Sequence, residues 1–182
     1  HWDNPQKLRR MLTESGEIRP MNTVKIYGDN KGRFGTTRDG QERFWRNIVA
    51  GLASSRFHRP DSGLGLGPIA QANIKSMRML TDEMNIFECK PNNRLLQGRS
   101  WNEAFCTAKL GVEYAVFFPD GGDVELDVSA MDGRRIHARW LDIRRSQWSS
   151  NNGGAQEADG SLHLVTPTEE GYWAVLVQAT ST

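Results

Sequence analysis

The sequence lacks several features that would assign it to a class at once. Its 182 residues include only two cysteines and no apolar run long enough to span a bilayer. No positively charged segment followed by an apolar stretch marks a secretory leader in the chain as given. Lysine and arginine (23) nearly balance aspartate and glutamate (22), for a formal net charge of +1. These absences predict no membrane partner and no nucleic-acid partner.

The distribution of charges and the positions of the two cysteines do not assign the chain to a functional class. Up to Asn85 there are 14 basic against 9 acidic residues, and after it 9 against 13. We interpret Cys89 and Cys106 as two partly buried thiols, although a disulfide between them is an alternative that the sequence leaves open. No pair of histidines or cysteines has the spacing of a zinc site. We therefore predict neither a metal nor a cofactor.

The spacing of apolar residues changes near Pro91. Before this residue they recur at helical spacing, interrupted by two short strand-like runs, and after it they alternate with period two. The change predicts two domains, over residues 1–90 and 91–182.

The first domain is predicted to be α/β and incomplete. Helices are expected over residues 6–14, 39–54 and 68–85, and strands over residues 21–27 and 55–58. Asp39 is the expected N-cap of the second helix. Strands joined by crossover helices predict a parallel sheet, and two parallel strands alone can neither be covered on both faces nor close into a barrel.

Each predicted helix carries an apolar stripe that needs a partner surface. The stripe residues are Leu8, Met11 and Leu12 in the first helix, Phe44, Trp45, Ile48, Val49 and Leu52 in the second, and Ile69, Ala72, Ile74, Met77, Met79, Leu80 and Met84 in the third.

The second domain is predicted to be all-β. Strands are expected over residues 102–108, 114–118, 124–128, 135–143, 162–165 and 171–177. In the third of these, Val124, Leu126 and Val128 alternate with acidic residues, which indicates one buried and one solvated face. Several short strands separated by turn residues favour an antiparallel β-sandwich over residues 91–182.

The aromatic residues of this domain allow two interpretations, core packing or stacking on sugar rings. They are Trp101, Trp140, Trp148, Tyr172 and Trp173. Core packing is favoured because Trp140 shares a strand face with Ile136 and Ala138. Trp148, which serines and asparagines surround, is the candidate for an exposed sugar-binding ring.

Several motifs resemble a known family. Residues 27–29 (Tyr-Gly-Asp), 42–48 (Glu-Arg-Phe-Trp-Arg-Asn-Ile), 55–60 (Ser-Arg-Phe-His-Arg-Pro) and 63–66 (Gly-Leu-Gly-Leu) resemble the closing part of the barrel in apiosidase-like glycoside hydrolases. Residues 114–126, 139–142 and 171–173 resemble the small C-terminal domain often attached to them, which carries the label of a collagen-binding domain of a collagenase. The resemblance covers nearly the whole chain.

The resemblance implies the last quarter of a (β/α)₈ barrel, with a missing N-terminal barrel portion as its partner. The two strands would be the seventh and eighth of the barrel, and such enzymes place their chemistry at the C-terminal ends of strands. The residues that would border or bind a carbohydrate substrate are Tyr27, Arg56, His58 and Arg59, together with Trp148.

Catalysis in such an enzyme needs two carboxyl groups. The family pattern implies a glutamate near the end of the seventh strand, where this sequence has Val24 or Lys25, and Asp29 is the acid that would stand in as a catalytic residue. The alternative is that Asp29 forms a turn. His58, kept neutral by its arginine neighbours, would accept a hydrogen bond from a sugar, or would simply pack at a strand end.

The resemblance thus implies the C-terminal portion of a glycoside-hydrolase-like protein. It would contribute one wall of a carbohydrate cleft and would not be catalytically competent alone. A carbohydrate- or matrix-binding module and a purely structural accessory domain are the alternatives. An extracellular or periplasmic location is the one expected for such a protein.

Overall fold

A computed structural model describes residues 2–100, 103–150 and 154–180. The chain divides into two compact units, one ending at Ile74 and one starting at Lys75. The helices are α1 (Asp3–Glu14), α2 (Thr37–Val49) and α3 (Pro68–Glu83). The strands are β1 (Asn22–Ile26), β2 (Ser54–Phe57), β3 (Lys90–Pro91), β4 (Leu96–Gln97), β5 (Phe105–Lys109), β6 (Glu113–Phe118), β7 (Asp123–Asp127), β8 (Arg135–Asp142), β9 (Gln147–Trp148), β10 (Gln156–Glu157), β11 (Ser161–Val165) and β12 (Trp173–Ala179). Among the described residues, no helix is both long and apolar enough to cross a membrane.

In the first unit, β1 and β2 pair in parallel, as the sequence predicts. Thr23 lies opposite Ser55 and Ile26 opposite Phe57, with a bulge between these pairs. Ile26 and Phe57 are buried, and the Phe57 ring stacks on Phe44 of α2 at a centroid distance of 4.7 Å. The crossover helix α2 therefore covers one face of this two-stranded sheet.

The start of α2 differs from the prediction. Thr36, and not Asp39, is the N-cap, and Asp39 sits at the third helical position. The Thr36 hydroxyl accepts from the Asp39 amide, and the Asp39 carboxylate accepts from the Thr36 amide at 2.7 Å. This is a capping box, which satisfies two amide groups at the helix start. The helix also ends before the predicted residue 54, because Gly51 adopts a positive φ of 78° just after Val49.

The predicted stripe of α2 is buried, but that of α1 is not. Leu8 is 53% and Met11 55% exposed. Within this unit α1 is fixed chiefly by Arg9, whose Nη2 donates to the carbonyl oxygens of Ala50 and Gly51 at 2.9 and 2.7 Å. Leu12 of the same stripe is half-buried, so the apolar side of α1 is only partly covered among the described residues.

On α3 the buried line of residues is partly polar. Ile69, predicted as part of the stripe, is 44% exposed, whereas Asn73 is 1% exposed. The Asn73 Oδ1 accepts from Trp45 Nε1 at 2.9 Å, and its Nδ2 donates to Gln41 Oε1 at 3.1 Å. Asn73 therefore provides a hydrogen-bond acceptor for the indole N–H of the buried Trp45.

The second unit contains two antiparallel sheets. The larger has the order β10-β8-β12-β6-β5-β3 with β9 paired to β8, and the smaller has the order β11-β7-β4. Inward side chains of both sheets form one core; they include Leu96, Val116, Phe118, Leu126, Trp140, Leu164 and Val175. The four two-residue strands were not predicted, because two residues show no periodicity.

Two of the aromatic residues of this unit pack in its core, as the sequence predicts. Trp140 and Trp173 are each 7% exposed within the core, whereas Trp101 and the start of the strand predicted from residue 102 lie outside the described residues. Cys89 and Cys106 are buried free thiols. Burial and, secondarily, the charge of Glu113 raise the pKa of Cys89 to about 12.

The end of α3 is anchored within the second unit. Ser76 Oγ donates to the Ile143 carbonyl at 2.9 Å, and Gln178 Nε2 donates to the Glu83 carbonyl at 2.9 Å. The buried Glu113 carboxylate accepts from the amide of Asn85 at 2.9 Å. Residues before the predicted boundary at 91 are therefore integral to this unit.

Candidate functional site

The candidate site lies where β1 and β2 end. Tyr27 follows β1 and His58 follows β2, and their ring centroids are 4.8 Å apart. Phe34 stacks on Tyr27 at 5.4 Å with an interplanar angle of 14°. Arg56 is exposed while Phe57 is buried, which is the alternation expected of a strand. Phe34, Tyr27 and His58 form a half-buried row at the carboxyl ends of parallel strands, which we call the aromatic row.

Arg43 of α2 holds the loop that follows β1. Its Nη1 donates to the carbonyl oxygens of Tyr27 at 2.9 Å and Phe34 at 3.2 Å, which fixes the backbone of two members of the aromatic row. Gly28 has φ 125°, and a Cβ there would lie 2.6 Å from the amide nitrogen of Gly40. A side chain at this position would push the loop away from α2.

The loop that follows β2 turns back over both strand ends. The Gly28 amide donates to the Ser62 carbonyl at 3.1 Å, and the Gly65 amide donates to the His58 carbonyl at 2.8 Å. A Cβ on Gly63 would lie 2.6 Å from the His58 carbonyl oxygen and 2.8 Å from that of Ile26. Glycine is thus required where this loop touches the strands.

His58 is linked to two residues of this loop. Its Nδ1 lies 2.6 Å from Ser62 Oγ, and Ser62 Oγ lies 3.0 Å from Asp61 Oδ1. Arg59 Nε in turn forms an ion pair with Asp61 Oδ2 at 2.8 Å. Ser62 is 4% exposed, so the middle of this chain of contacts is shielded from water.

An open groove of about 570 Å³ runs beside these residues. It is lined by Ser55, Arg56, Phe57, His58, Arg59, Pro60, Gly65, Leu66 and Ile74. Leu66 is 73% exposed at its margin. The lining thus joins apolar surface with the guanidinium groups of Arg56 and Arg59, a combination suited to a ligand with both apolar faces and polar groups.

Asp29 is engaged in local contacts. Its Oδ1 accepts from the Lys31 amide at 3.0 Å, and its Oδ2 pairs with Lys31 Nζ at 3.2 Å. Its side chain is 7% exposed. This is the geometry of a turn-forming aspartate, while a catalytic role for Asp29 stays a prediction.

Trp148 belongs to the second unit and is half-buried. The Arg139 guanidinium lies 4.3 Å from the centroid of its ring, so a cation occupies one face. A sugar ring is therefore excluded from that face.

Sequence reasoning missed Phe34, Arg43, Ser62 and Asp61. Phe34 lies in a polar loop, and Arg43 lies on the helix between the strands, so neither belongs to a strand end. His58 and Ser62 are only four residues apart, but residues within a loop follow no fixed period, so their contact could not be predicted from this spacing. Among the described residues, His, Cys, Asp and Glu side chains form no group of three placed to hold a metal ion.

No family profile and no curated protein matches this sequence. Solved structures do. A glycoside hydrolase family 5 protein from Bacteroides vulgatus ATCC 8482 aligns with a TM-score of 0.75 at 13% identity, over 97% of this chain and 45% of that one. A second structure, described as a glycoside hydrolase, aligns with a TM-score of 0.69 at 16% identity, over 94% of this chain and 45% of that one.

These similarities concern the fold. The chain spans about 45% of the length of the glycoside hydrolases that it matches. The mixed α/β architecture with antiparallel sheets resembles part of a glycoside hydrolase fold, and the finer resemblance to apiosidase-like and collagen-binding domains stays a prediction.

Proposed function

We propose that the chain is the C-terminal portion of a glycoside-hydrolase-like protein and contributes one wall of its carbohydrate cleft. The observation that carries this proposal is the aromatic row beside the groove, at the carboxyl ends of two parallel strands. In barrel enzymes this end of the strands holds the substrate. The remainder of the barrel, including its other strands, would come from the missing N-terminal portion.

The wall has the chemistry that sugars need. His58, supported by the Tyr27 ring behind it, provides ring surface for the apolar face of a pyranose, and the guanidinium groups of Arg56 and Arg59 donate hydrogen bonds to hydroxyls. Arg56 Nε donates to the Val24 carbonyl at 3.3 Å, which orients the guanidinium along the strand surface. A planar guanidinium also fits a carboxylate, so a uronate is within the proposed substrate class.

We assign the second unit as an accessory β-sandwich. Its Trp140 and Trp173 fill the core and one face of Trp148 is covered, which favours a structural role over sugar stacking. A carbohydrate- or matrix-binding role for this unit is the second candidate, carried by the remaining face of Trp148. An extracellular or periplasmic location accompanies the proposal.

Sugar binding tests the proposal. Calorimetric titration with methyl β-glucoside, methyl β-glucuronide and oligosaccharides of both types should show binding by the complete protein. His58→Ala should weaken it by on the order of 1–3 kcal/mol, the cost of leaving a polar partner unpaired. The matched control is His163→Ala, since His163 lies on β11 in the second unit. Equal affinity of the His58 variant and the wild type would contradict the proposal.

Activity provides a separate test. Because the expected glutamate of the seventh strand is absent and Asp29 is held by Lys31, the 182-residue chain should not hydrolyse aryl glycosides. Turnover that disappears on Asp29→Ala would show instead that the chain is catalytic and that Asp29 takes part.

A further inference from the structure

Asp61, Ser62 and His58 make a chain of hydrogen bonds that ends at the groove. Ser62 Oγ lies between the other two, 3.0 Å from Asp61 Oδ1 and 2.6 Å from His58 Nδ1. Ser62 is buried, and its neighbours are a carboxylate on one side and an imidazole on the other. The direction of each hydrogen bond decides what His58 presents to a ligand.

The protons can be assigned from the donor and acceptor inventory. An ionised carboxylate only accepts, so the single hydroxyl proton of Ser62 points to Asp61. The Ser62 oxygen must then accept from His58, which requires a proton on Nδ1. A neutral imidazole carries one N–H, and its Nε2 is therefore left with a free lone pair.

The ionised state of Asp61 is supported by its surroundings. Desolvation opposes ionisation, but the hydrogen bond from Ser62 and the charge of Arg59 outweigh it and lower the pKa of the Asp61 carboxyl. The carboxylate is thus an acceptor at neutral pH, as the assignment needs.

We propose that Asp61 and Ser62 are positioning residues that hold neutral His58 as its Nδ1–H tautomer, so that Nε2 accepts a hydrogen bond from a hydroxyl of the ligand. This inference deepens the proposed function and rests on it. His58 lines the groove, its ring is braced by Tyr27, and in the described part of the chain its Nε2 makes no hydrogen bond. The site is selective for a ligand that donates a hydroxyl proton at this point, and rejects one whose oxygen can only accept.

The tautomer can be read directly by nuclear magnetic resonance. In a ¹⁵N-labelled sample at alkaline pH, long-range ¹H–¹⁵N correlations distinguish protonated from bare ring nitrogens of each histidine. We expect His58 to show protonated Nδ1 and bare Nε2. His163 is an internal reference, because its Nδ1 lies 2.8 Å from Glu125 Oε1, an acceptor-only carboxylate.

Two matched variants isolate the positioning role. Asp61→Ala frees the Ser62 hydroxyl to donate to Nδ1, and should shift His58 toward the Nε2–H tautomer at least several-fold. Arg59→Ala removes the ion pair with Asp61 but keeps its hydrogen bond with Ser62, and should leave the tautomer unchanged. Asp61 has a half-exposed side chain, so its variant should fold. Ser62→Ala should shift the tautomer in the same direction as Asp61→Ala, and Ser62→Thr, which keeps a hydroxyl, should restore it.

Binding then separates the two proposals. Methyl β-glucoside or methyl β-glucuronide should bind the wild type at least several-fold more tightly than Asp61→Ala, and their per-O-methylated forms should lose this preference. A wild-type Nε2–H tautomer, or an unchanged tautomer in Asp61→Ala, overturns the inference whatever binds. The expected tautomer without binding of either sugar contradicts the proposed cleft, and leaves the positioning role of Asp61 and Ser62 standing.

Discussion

The two units of this chain bury their apolar residues in different ways. In the second, alternate residues of two sheets meet in one core, and Val116, Phe118 and Leu126 are fully buried. In the first, Leu8 and Met11 on α1 are more than half exposed. The exposed apolar residues of the first unit thus include two that lie on one helix, whereas Phe87 and Leu110, which are exposed in the second unit, lie outside its strands. From this difference we predict that the first unit depends on a partner surface and that the second folds without one.

The largest change in stability is expected for a substitution in the core of the second unit. Phe118→Ala should lower the free energy of unfolding of the second unit by about 3–5 kcal/mol, because it removes a buried ring and leaves a cavity. Chemical denaturation followed by tryptophan fluorescence measures this. Leu110→Ala in the same unit and Leu8→Ala in the first, both at exposed positions, should each change stability by less than about 0.5 kcal/mol. A large loss for Leu8→Ala would show that α1 is covered after all.

The second prediction concerns the stability of fragments of the second unit. A fragment of residues 75–182 should fold alone, and one of residues 91–182 should be less stable by about 2–6 kcal/mol. The shorter fragment loses the Asn85 amide that pairs with buried Glu113 and the Ser76 hydroxyl that binds the Ile143 carbonyl, at ~1–3 kcal/mol for each buried group left unpaired. Limited proteolysis of the whole chain should degrade the first unit first. Equal resistance of both units to the protease would contradict the prediction that the first unit is the less stable of the two.

A buried polar contact of the first unit ranks third. Asn73→Ala removes the acceptor that Trp45 Nε1 binds on α3, and should destabilise this unit by about 1–3 kcal/mol. Hydrogen exchange of the amides of α2 would report the loss. Lys75→Ala, at an exposed position of the same helix, is the control. An unchanged exchange pattern would mean that another group satisfies Trp45.

The smallest effect concerns the cap of α2. Thr36→Ala should cost about 1 kcal/mol. Hydrogen bonds from the amide and hydroxyl of Thr36 lower the pKa of Asp39, more than desolvation raises it. The contribution of the capping box is therefore fully present above the ordinary pKa of an aspartate, and is lost as the pH falls through the lowered pKa. Thermal melts from neutral to acidic pH should show a smaller pH dependence in Asp39→Asn than in the wild type.

The sequence predicted the helices and strands in which a periodic apolar pattern continues over several residues. It did not predict the exact start of a helix or the side-chain contacts between residues far apart in the chain. Period-two alternation located β7, and the stripe of α2 identified its buried face. The N-cap was misplaced by three residues because Asp39 and Thr36 are both good caps and only their reciprocal hydrogen bonds show which one leads. Asn73 was overlooked because its partner Trp45 is 28 residues away.

The same limit applies to the candidate site. The resemblance placed Tyr27 and His58 at the ends of neighbouring strands, and the parallel pairing of β1 and β2 brings their rings together. The sequence did not predict the contacts of Ser62 and Asp61, because a loop has no period from which side-chain contacts can be inferred. The residues that set the chemistry of His58 were therefore invisible in the sequence pattern.

The order of strands in the larger sheet has a consequence for synthesis. Among the described residues, β12 is the last strand in sequence, yet it lies in the middle of the sheet, paired with β6 on one side and β8 on the other. As the chain leaves the ribosome, β6 and β8 emerge with nothing between them, and their inner edges stay unpaired until residue 179 is free of the exit tunnel. Pairing over such sequence separations is slow, and open strand edges invite association with other chains. Nascent chains of this protein should therefore be most prone to aggregation just before β12 appears.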